Sequence, residues 1–500
     1  MTTEEAKRRV TETFHSTGDL LTREITANGK ACALFYIDGL SDKMLLEQDV
    51  IAPVSNSKTL FATDGASDEE VRKELLDALF FCQDVPVLTF DEGITKIAEG
   101  DVAFFVDGRE NFFMFSLRRF EKRSFAEPPT ATVLKGPREG FIEEIKTNTA
   151  LIRRRIKSPD LVFENLSVGR YSSTPVSVAY IHGVADENAV AAVREKLSSI
   201  DIDGIIDSAY LASFLKPSRY SLFKRIGNSE KPDVVAAKLL EGRIAVIADG
   251  SPIVLTLPFV LLEDLQDSYD YYASDWKAAF ARIFRLMGAV LTVMLPASYV
   301  ALQSAHYHLL PLKFLMTLVG ATASIPFPPA VEMLVVLLLF EILNEASVRM
   351  PRYLGVSLSI VGAIVLGDTA VKAGLISSPA VLVTALSSIG VFCVPDQVGT
   401  LSILRILFLC VSAVLGLFGI IVLGLCLLAY IACLSSFGSP YLAPYAPRIS
   451  PDLKDGVFVA PVSEMKTRPY SIPNTNRTRL NTDGKDAEDG EIPAQKGGDE

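Results

Sequence analysis

The chain has 500 residues, 49% hydrophobic and 21% charged, with mean hydropathy +0.31 and formal net charge −11. That balance is too apolar for an ordinary soluble protein and too charged for a bare bundle of spans, so two unlike halves are expected. The acidic charge, with no basic stripe interleaved with aromatics, argues against a nucleic-acid partner.

Residues 1–20 are charged and polar, which argues against an N-terminal signal peptide. Long uncharged apolar runs begin only beyond Arg285, so the first insertion signal follows a large region made on the cytosolic side. The six cysteines form no CxxC pair; Cys32 and Cys82 lie in the first half, the other four in apolar runs. Small buried residues in a reducing compartment fit better than disulfides or zinc.

The first half contains an internal echo. Leu239-Leu240-Glu241-Gly242 and its continuation to Asp249-Gly250 repeat Ile97-Ala98-Glu99-Gly100 and its continuation to Asp107-Gly108, at an offset of 142 (250 − 108). Upstream, Tyr180-Ile181-His182-Gly183 repeats Tyr36-Ile37-Asp38-Gly39 at an offset of 144 (183 − 39). Each unit reads as a strand ending in a glycine turn, a helix, Glu-Gly, then a hairpin tipped by Asp-Gly. Two related α/β subdomains are expected, at 1–125 and 138–265, joined by a linker at 126–137 that contains Pro128-Pro129. The Asp-Gly pairs read as turns, and His182 as a turn or surface residue. No Walker loop, nucleotide-binding GxGxxG, HExxH or nucleophile elbow occurs, so neither an enzyme nor a cofactor is expected.

An amphipathic approach segment follows at 266–285. Tyr271, Tyr272 and Trp276 suit a membrane interface, although Trp276 reads equally as a packing residue, and Arg282 and Arg285 suit a cytosolic flank. An all-α polytopic membrane domain is expected over 286–435. Its apolar segments are 286–303, 309–325, 331–348, 354–376, 379–395 and 403–434, of which the last is long enough to span. Four to six cross, which leaves the side of the C-terminus open. Ser412, Gly416, Gly419 and Gly424 allow close helix approach in the last segment. His306 and His308 do not share a helical face, which argues against a metal. Asp368 and Lys372 are spaced to pair. The tail, 461–500, is poor in apolar residues and is expected to be disordered.

The unusual segment is central. Pro326-Phe327-Pro328-Pro329 starts a helix on prolines, which the first turn tolerates. Glu332 falls in that turn, where the helix dipole favours a carboxylate. After the apolar run 333–340 come Glu341, Asn344, Glu345 and Arg349. Positions 341, 345 and 349 share one face, and Glu332 lies roughly opposite. Ionisable groups at membrane depth usually face a protein interior or a water-filled path.

With these residues stands a wider set of landmarks: Gly136-Pro137-Arg138-Glu139-Gly140-Phe141, Asn148, Leu151-Ile152-Arg153-Arg154-Arg155-Ile156, Lys231-Pro232-Asp233 and Asp249-Gly250-Ser251-Pro252. Further on come Pro296-Ala297-Ser298-Tyr299, Phe340-Glu341 through Pro351, Gly355 with Ser359-Ile360-Val361-Gly362, and Ser439-Pro440-Tyr441-Leu442-Ala443-Pro444. Over residues 137–460 the chain resembles the A subunits of spore germinant receptors, the GerA family, whose motifs also mark 436–460 as a distinct C-terminal segment.

The resemblance implies an integral protein of the spore inner membrane that senses nutrients and triggers germination. It implies a homo-oligomer, a pentamer, forming a nutrient-gated channel for monovalent cations, beside a transporter-like B subunit and a lipoprotein C subunit. Asn344 stands where the family commonly has arginine, and 335–337 lacks a glutamate often found there, so the central helix is lightly charged. Two readings of it remain open. Either Glu341 or Glu345 contributes to a ring of pore carboxylates, with Arg349 offsetting Glu345 and Glu341 the freer charge; or Glu345–Arg349 is a pair at a span end and Glu341 bonds a neighbouring helix. The alternative function is a non-conducting scaffold that relays a signal to another spore channel.

Overall fold

The computed structural model describes residues 1–57, 60–61, 66–79, 84–118, 135–217, 221–349 and 367–480. Cys82, Pro128-Pro129, Pro351, Gly355, the 359–362 landmark, most of segment 354–376 and the tail beyond 480 lie outside the described residues.

The first subdomain comprises α1 (Thr3–Thr13), β1 (Leu20–Ala27), β2 (Lys30–Ile37), α2 (Asp68–Ala78), β3 (Val87–Leu88), α3 (Phe90–Glu99), β4 (Val102–Val106) and β5 (Phe112–Phe115). Its sheet runs β1-β2-β4-β5-β3, antiparallel throughout. Alternate residues point to opposite faces of a pleated strand. Leu34, Phe104 and Phe113 therefore pack on Val71 and Leu75 of α2, while Phe35, Phe105 and Phe112 pack on Val10 of α1 and Ile97 of α3.

The second subdomain comprises α4 (Ile145–Arg153), β6 (Leu161–Val168), β7 (Thr174–Ile181), α5 (Glu187–Ser198), α6 (Ser208–Leu215), β8 (Gly227–Ser229), α7 (Pro232–Leu240), β9 (Ile244–Ala248) and β10 (Val254–Leu257). Its order, β6-β7-β9-β10-β8, is that of the first sheet, with helices again on both faces. The Glu-Gly pairs end helices: Gly100 and Gly242 take φ of 102° and 97°, which only glycine adopts cheaply. The Asp-Gly tips do more than turn. Asp107 accepts from the Thr3 N–H at 2.8 Å and Gly108 N–H donates to the Met1 carbonyl at 3.1 Å. Their counterparts repeat this: Asp249 accepts from Ile145 N–H at 3.1 Å, and Gly250 N–H donates to the Glu143 carbonyl at 2.7 Å. Each hairpin tip thus holds the start of its own subdomain's first helix.

The subdomains meet around a buried ion pair. Arg153 donates to both oxygens of Asp19, at 3.0 and 2.8 Å, and to the Ser158 carbonyl at 2.9 Å. Gly18 N–H donates to the Phe163 carbonyl at 2.8 Å, and Phe163 N–H to Thr17 Oγ1 at 3.0 Å, which joins the loop before β1 to β6. His182 stacks on His15 across this joint at 3.9 Å.

The helical half comprises α8 (Asp275–Ser304), α9 (Leu312–Thr322), α10 (Pro329–Arg349), α11 (Ser378–Val391) and α12 (Val398–Ala432). By length and composition, 275–304 and 395–432 are apolar enough to cross a membrane. The expected approach segment is not a separate amphipathic unit: after a short turn at Ser268–Tyr272, α8 begins at Asp275 and runs on without a break. Nor is α12 one rod. Gly416 has φ 62° and ψ −146°, and a Cβ on Gly419 would lie 2.7 Å from Leu415 Cβ and 2.9 Å from Val411. A straight helix would hold residues 411 and 419 about 12 Å apart. The expected long span 403–434 is therefore a hairpin with arms 398–415 and 417–432, each about 24–27 Å long. Both feet stand on the second subdomain: Thr400 donates to the Leu222 carbonyl at 3.0 Å, and Arg225 donates to the Ser435 carbonyl at 3.0 Å. The apex lies beside His306 at the far end of α8.

After α12 the chain returns along the second subdomain. Arg282 and Arg285, read from the sequence as flank charges, are engaged inside the fold. Arg282 is fully buried and donates to Asp270 at 3.0 Å, Asp455 at 2.9 Å and the Gly456 carbonyl at 2.6 Å; Arg285 grips Asp270 at 2.7 and 2.9 Å. Burial opposes the Asp270 charge, but hydrogen bonds from Arg285, the Asp267 N–H and Arg282 hold its carboxyl below the usual range. Disorder does not begin at 461 as composition implied. Met465 and Ile472 are buried, and Thr475 bonds the Val184 and Gly183 carbonyls at 3.0 and 2.8 Å, so residues 461–480 are anchored by contacts that local composition does not register.

Two expectations test this packing. Asp19→Ala leaves Arg153 buried without its counter-charge and is expected to cost about 3–5 kcal/mol; urea unfolding of the soluble region measures it, and an unchanged midpoint contradicts it. Near the start of the helical half, Glu263 pairs with Lys238 at 2.7 Å and with Arg243. Burial opposes its charge, yet these cations lower its carboxyl from 4.5 to about 2. The stabilisation is therefore complete above pH 4.5 and is lost as pH falls towards about 2. The melting-temperature gap between wild type and Glu263→Gln should narrow through that window; a gap independent of pH contradicts the pairing.

Candidate functional site

α10 carries the charges that set the helical half apart. It starts on Pro329, and Glu332 N–H donates to the Pro328 carbonyl at 3.0 Å, so the proline turn passes directly into the helix. Glu332 is 1% exposed and accepts the Ser377 backbone N–H at 2.5 Å. Ser377 is the N-cap of α11. The carboxylate therefore sits at the positive ends of two helices, its own and a neighbour's.

Nine residues on, Glu341 accepts from Arg405 of α12 at 2.8 Å. The sequence reading of Glu341 as the freer charge is corrected by this pair. The Arg405 side chain is 3% exposed against 37% for Glu341. Arg405 also donates to the hydroxyls of Ser387 and Ser388, at 3.3 and 3.4 Å. Ser387 donates to the Thr292 carbonyl at 2.8 Å, and Thr292 returns a bond to the Ser387 carbonyl at 3.1 Å. Here α8 and α11 touch through glycines: a Cβ on Gly390 would come 2.7 Å from the Gly288 carbonyl oxygen. Arg405 thus joins α10, α11 and α12 on a layer fixed to α8. Sequence reasoning missed it, although a signal was present: Arg405 is the single charged residue of 403–434.

Glu345 and Arg349 pair at 2.8 Å, as their spacing implied, and stay exposed at 63% and 79%. Asn344 is half-buried on the same helix. Lys372 and Asp368 likewise pair at 2.6 Å on the surface. Trp276 is 86% exposed, with Phe280 and Phe284 following at 64% and 51% along α8, so it does not pack inside the chain. His306 and His308 have ring centroids 6.0 Å apart, and His306 packs against Gly416.

A pair of α/β subdomains carrying an apolar helical half with paired internal charges defines the class. The chain belongs to the GerA family: the model for the Bacillus/Clostridium GerA spore germination protein matches residues 8–471. The chain is 34% identical over 474 residues to spore germination protein KA of Bacillus subtilis (strain 168), covering 94% of this chain and 86% of that protein. It is 33% identical over 469 residues to the uncharacterized membrane protein YfkQ of the same organism, covering 92% and 90%. Among solved structures it is similar to the N-terminal domain of the A subunit of the Bacillus megaterium spore germinant receptor GerK3. That match has 28% identity and a TM-score of 0.41, over 51% of this chain and 94% of that one.

The hairpin apex offers a direct check. A Cβ on Gly416 would lie 2.6 Å from His306 Cε1, at a backbone conformation that side chains rarely adopt. Gly416→Ala is expected to cost about 1–3 kcal/mol, read as a lower melting temperature in detergent, with part of the loss recovered by adding His306→Ala. A neutral Gly416→Ala contradicts the hairpin.

Proposed function

We propose that this chain is a membrane subunit of a nutrient germinant receptor and that copies of it assemble, as a pentamer, around a cation path bordered by α10. The observation that carries the reading is the exposed charged face of that helix. Glu341, Glu345 and Arg349 repeat every four residues; Glu345 and Arg349 are exposed, and Glu341, held by Arg405, keeps more than a third of its side chain open. Charge in such a position is costly against lipid and is normally enclosed by protein or water. Neighbouring copies enclosing this face remove the cost, and the carboxylates then favour cations.

A polytopic arrangement is supported by the placement of helix ends. The feet of α12 and the segment that follows it rest on the second subdomain, and its apex meets the far end of α8. An even number of crossings, with both termini cytosolic in the spore inner membrane, accounts for this. Trp276 and the aromatic residues after it then meet lipid at the cytosolic interface. Similarity to spore germination proteins supports a place in a receptor complex, and the companions proposed for it are a transporter-like B subunit and a lipoprotein C subunit.

Reconstituted in vesicles, Glu341→Gln should lower cation-over-anion permeability. Unchanged selectivity in a conducting oligomer removes Glu341 from the path. Absence of any current with germinant and partner subunits present favours the non-conducting scaffold.

A further inference from the structure

We propose that Arg405 is the counter-charge that sets how much of the Glu341 carboxylate the path presents to ions. The inference rests on the reading that α10 borders that path, and it adds a regulatory element to it.

The pair is lopsided. Arg405 is almost wholly enclosed, its head directed by Ser387, Ser388 and Glu341, whereas more than a third of the Glu341 side chain is open. The arginine is anchored in the bundle and the carboxylate stands at its edge. At the bonded distance, the positive charge cancels much of the attraction that Glu341 exerts on a passing cation. Coulomb attraction falls with separation and with hydration, so moving α10 a few ångströms from α12 uncovers the carboxylate.

The fold supplies a pivot for that motion. Glu332 ties the start of α10 to the Ser377 N–H at the cap of α11, in a buried contact. Glu341 lies about 13 Å further along the helix axis. A small rotation about the Glu332 end therefore lengthens the Glu341–Arg405 contact while the other end stays attached. Glu345 has its own partner one turn on, Arg349, which travels with it on the same helix. Only Glu341 has its counter-charge on a different helix, so among these three charges only its pairing changes when helices shift. In the resting arrangement Arg405 covers Glu341; in the conducting arrangement the two are apart.

The test uses the full-length oligomer reconstituted with its partner subunits, with reversal potentials and basal current measured in a potassium chloride gradient. Arg405→Gln should raise cation-over-anion permeability several-fold and increase current in the absence of germinant. Arg405→Lys, which keeps the charge, should stay near wild type in selectivity. Adding Glu341→Gln to Arg405→Gln should abolish the gain in selectivity, because no carboxylate is then left to uncover. Should Arg405→Gln fail to assemble, the double neutral variant is expected to restore assembly, because no charge is then left unpaired. If Glu341→Gln lowers selectivity while Arg405→Gln changes neither selectivity nor basal current, the counter-charge role is overturned and the pore reading stands. If neither variant alters a conducting oligomer, the pore reading of Glu341 falls and this inference with it. A double variant that fails to recover assembly overturns the inference as well.

Discussion

A cation enclosed in an apolar helical bundle must find its opposite charge, and this constraint shapes the helical half. Arg405 meets it through Glu341 on another helix and two serine hydroxyls on a third. Breaking a buried pair by removing one partner typically costs several kcal/mol, whereas replacing both is far milder. The bond therefore fixes the register of α10 against α12 more than it adds net stability. It also determines which carboxylate of the α10 face is held and which remains open.

The same logic recurs at each junction of the molecule. Asp19 and Arg153 tie the two subdomains, and Asp270 and Asp455 enclose Arg282 where the soluble region meets α8. From there α8 continues to Gly288 and Thr292, which touch Gly390 and Ser387, next to Arg405. Close-packed contacts thus run from the second subdomain to the α10 charges. The returning segment at 455 closes a second connection, between the foot of α12 and the start of α8, so the soluble region grips both helices at one end.

Much of the architecture was legible in the sequence because an internal repeat recurs at a nearly constant offset. The 142-residue spacing placed Glu-Gly and Asp-Gly at equivalent points, and the two sheets have one strand order. The hairpin in α12 was hidden because an apolar run reads alike whether it continues or doubles back; Gly416 was noted for close packing and proved to be the point of reversal. The ends of the α10 site were partly legible: the Glu345–Arg349 pair follows from spacing, but the partners of Glu332 and Glu341 lie 45 and 64 positions away, beyond the reach of local pattern. Residues 461–480 were misread for the same reason. Few apolar residues suffice to order a segment when Met465 and Ile472 enter a prepared surface.

The central claim is that the charged face of α10 borders water inside an assembly and not lipid. Cysteine substitution along 335–349 in a cysteine-free background, probed in membranes with a small charged thiol reagent, tests it most directly. The account predicts fast modification at 341 and 345 and protection at Val336 and Phe340 on the other side of the helix, repeating with the helical period. Protection at 341 and 345, or no periodicity at all, would contradict it.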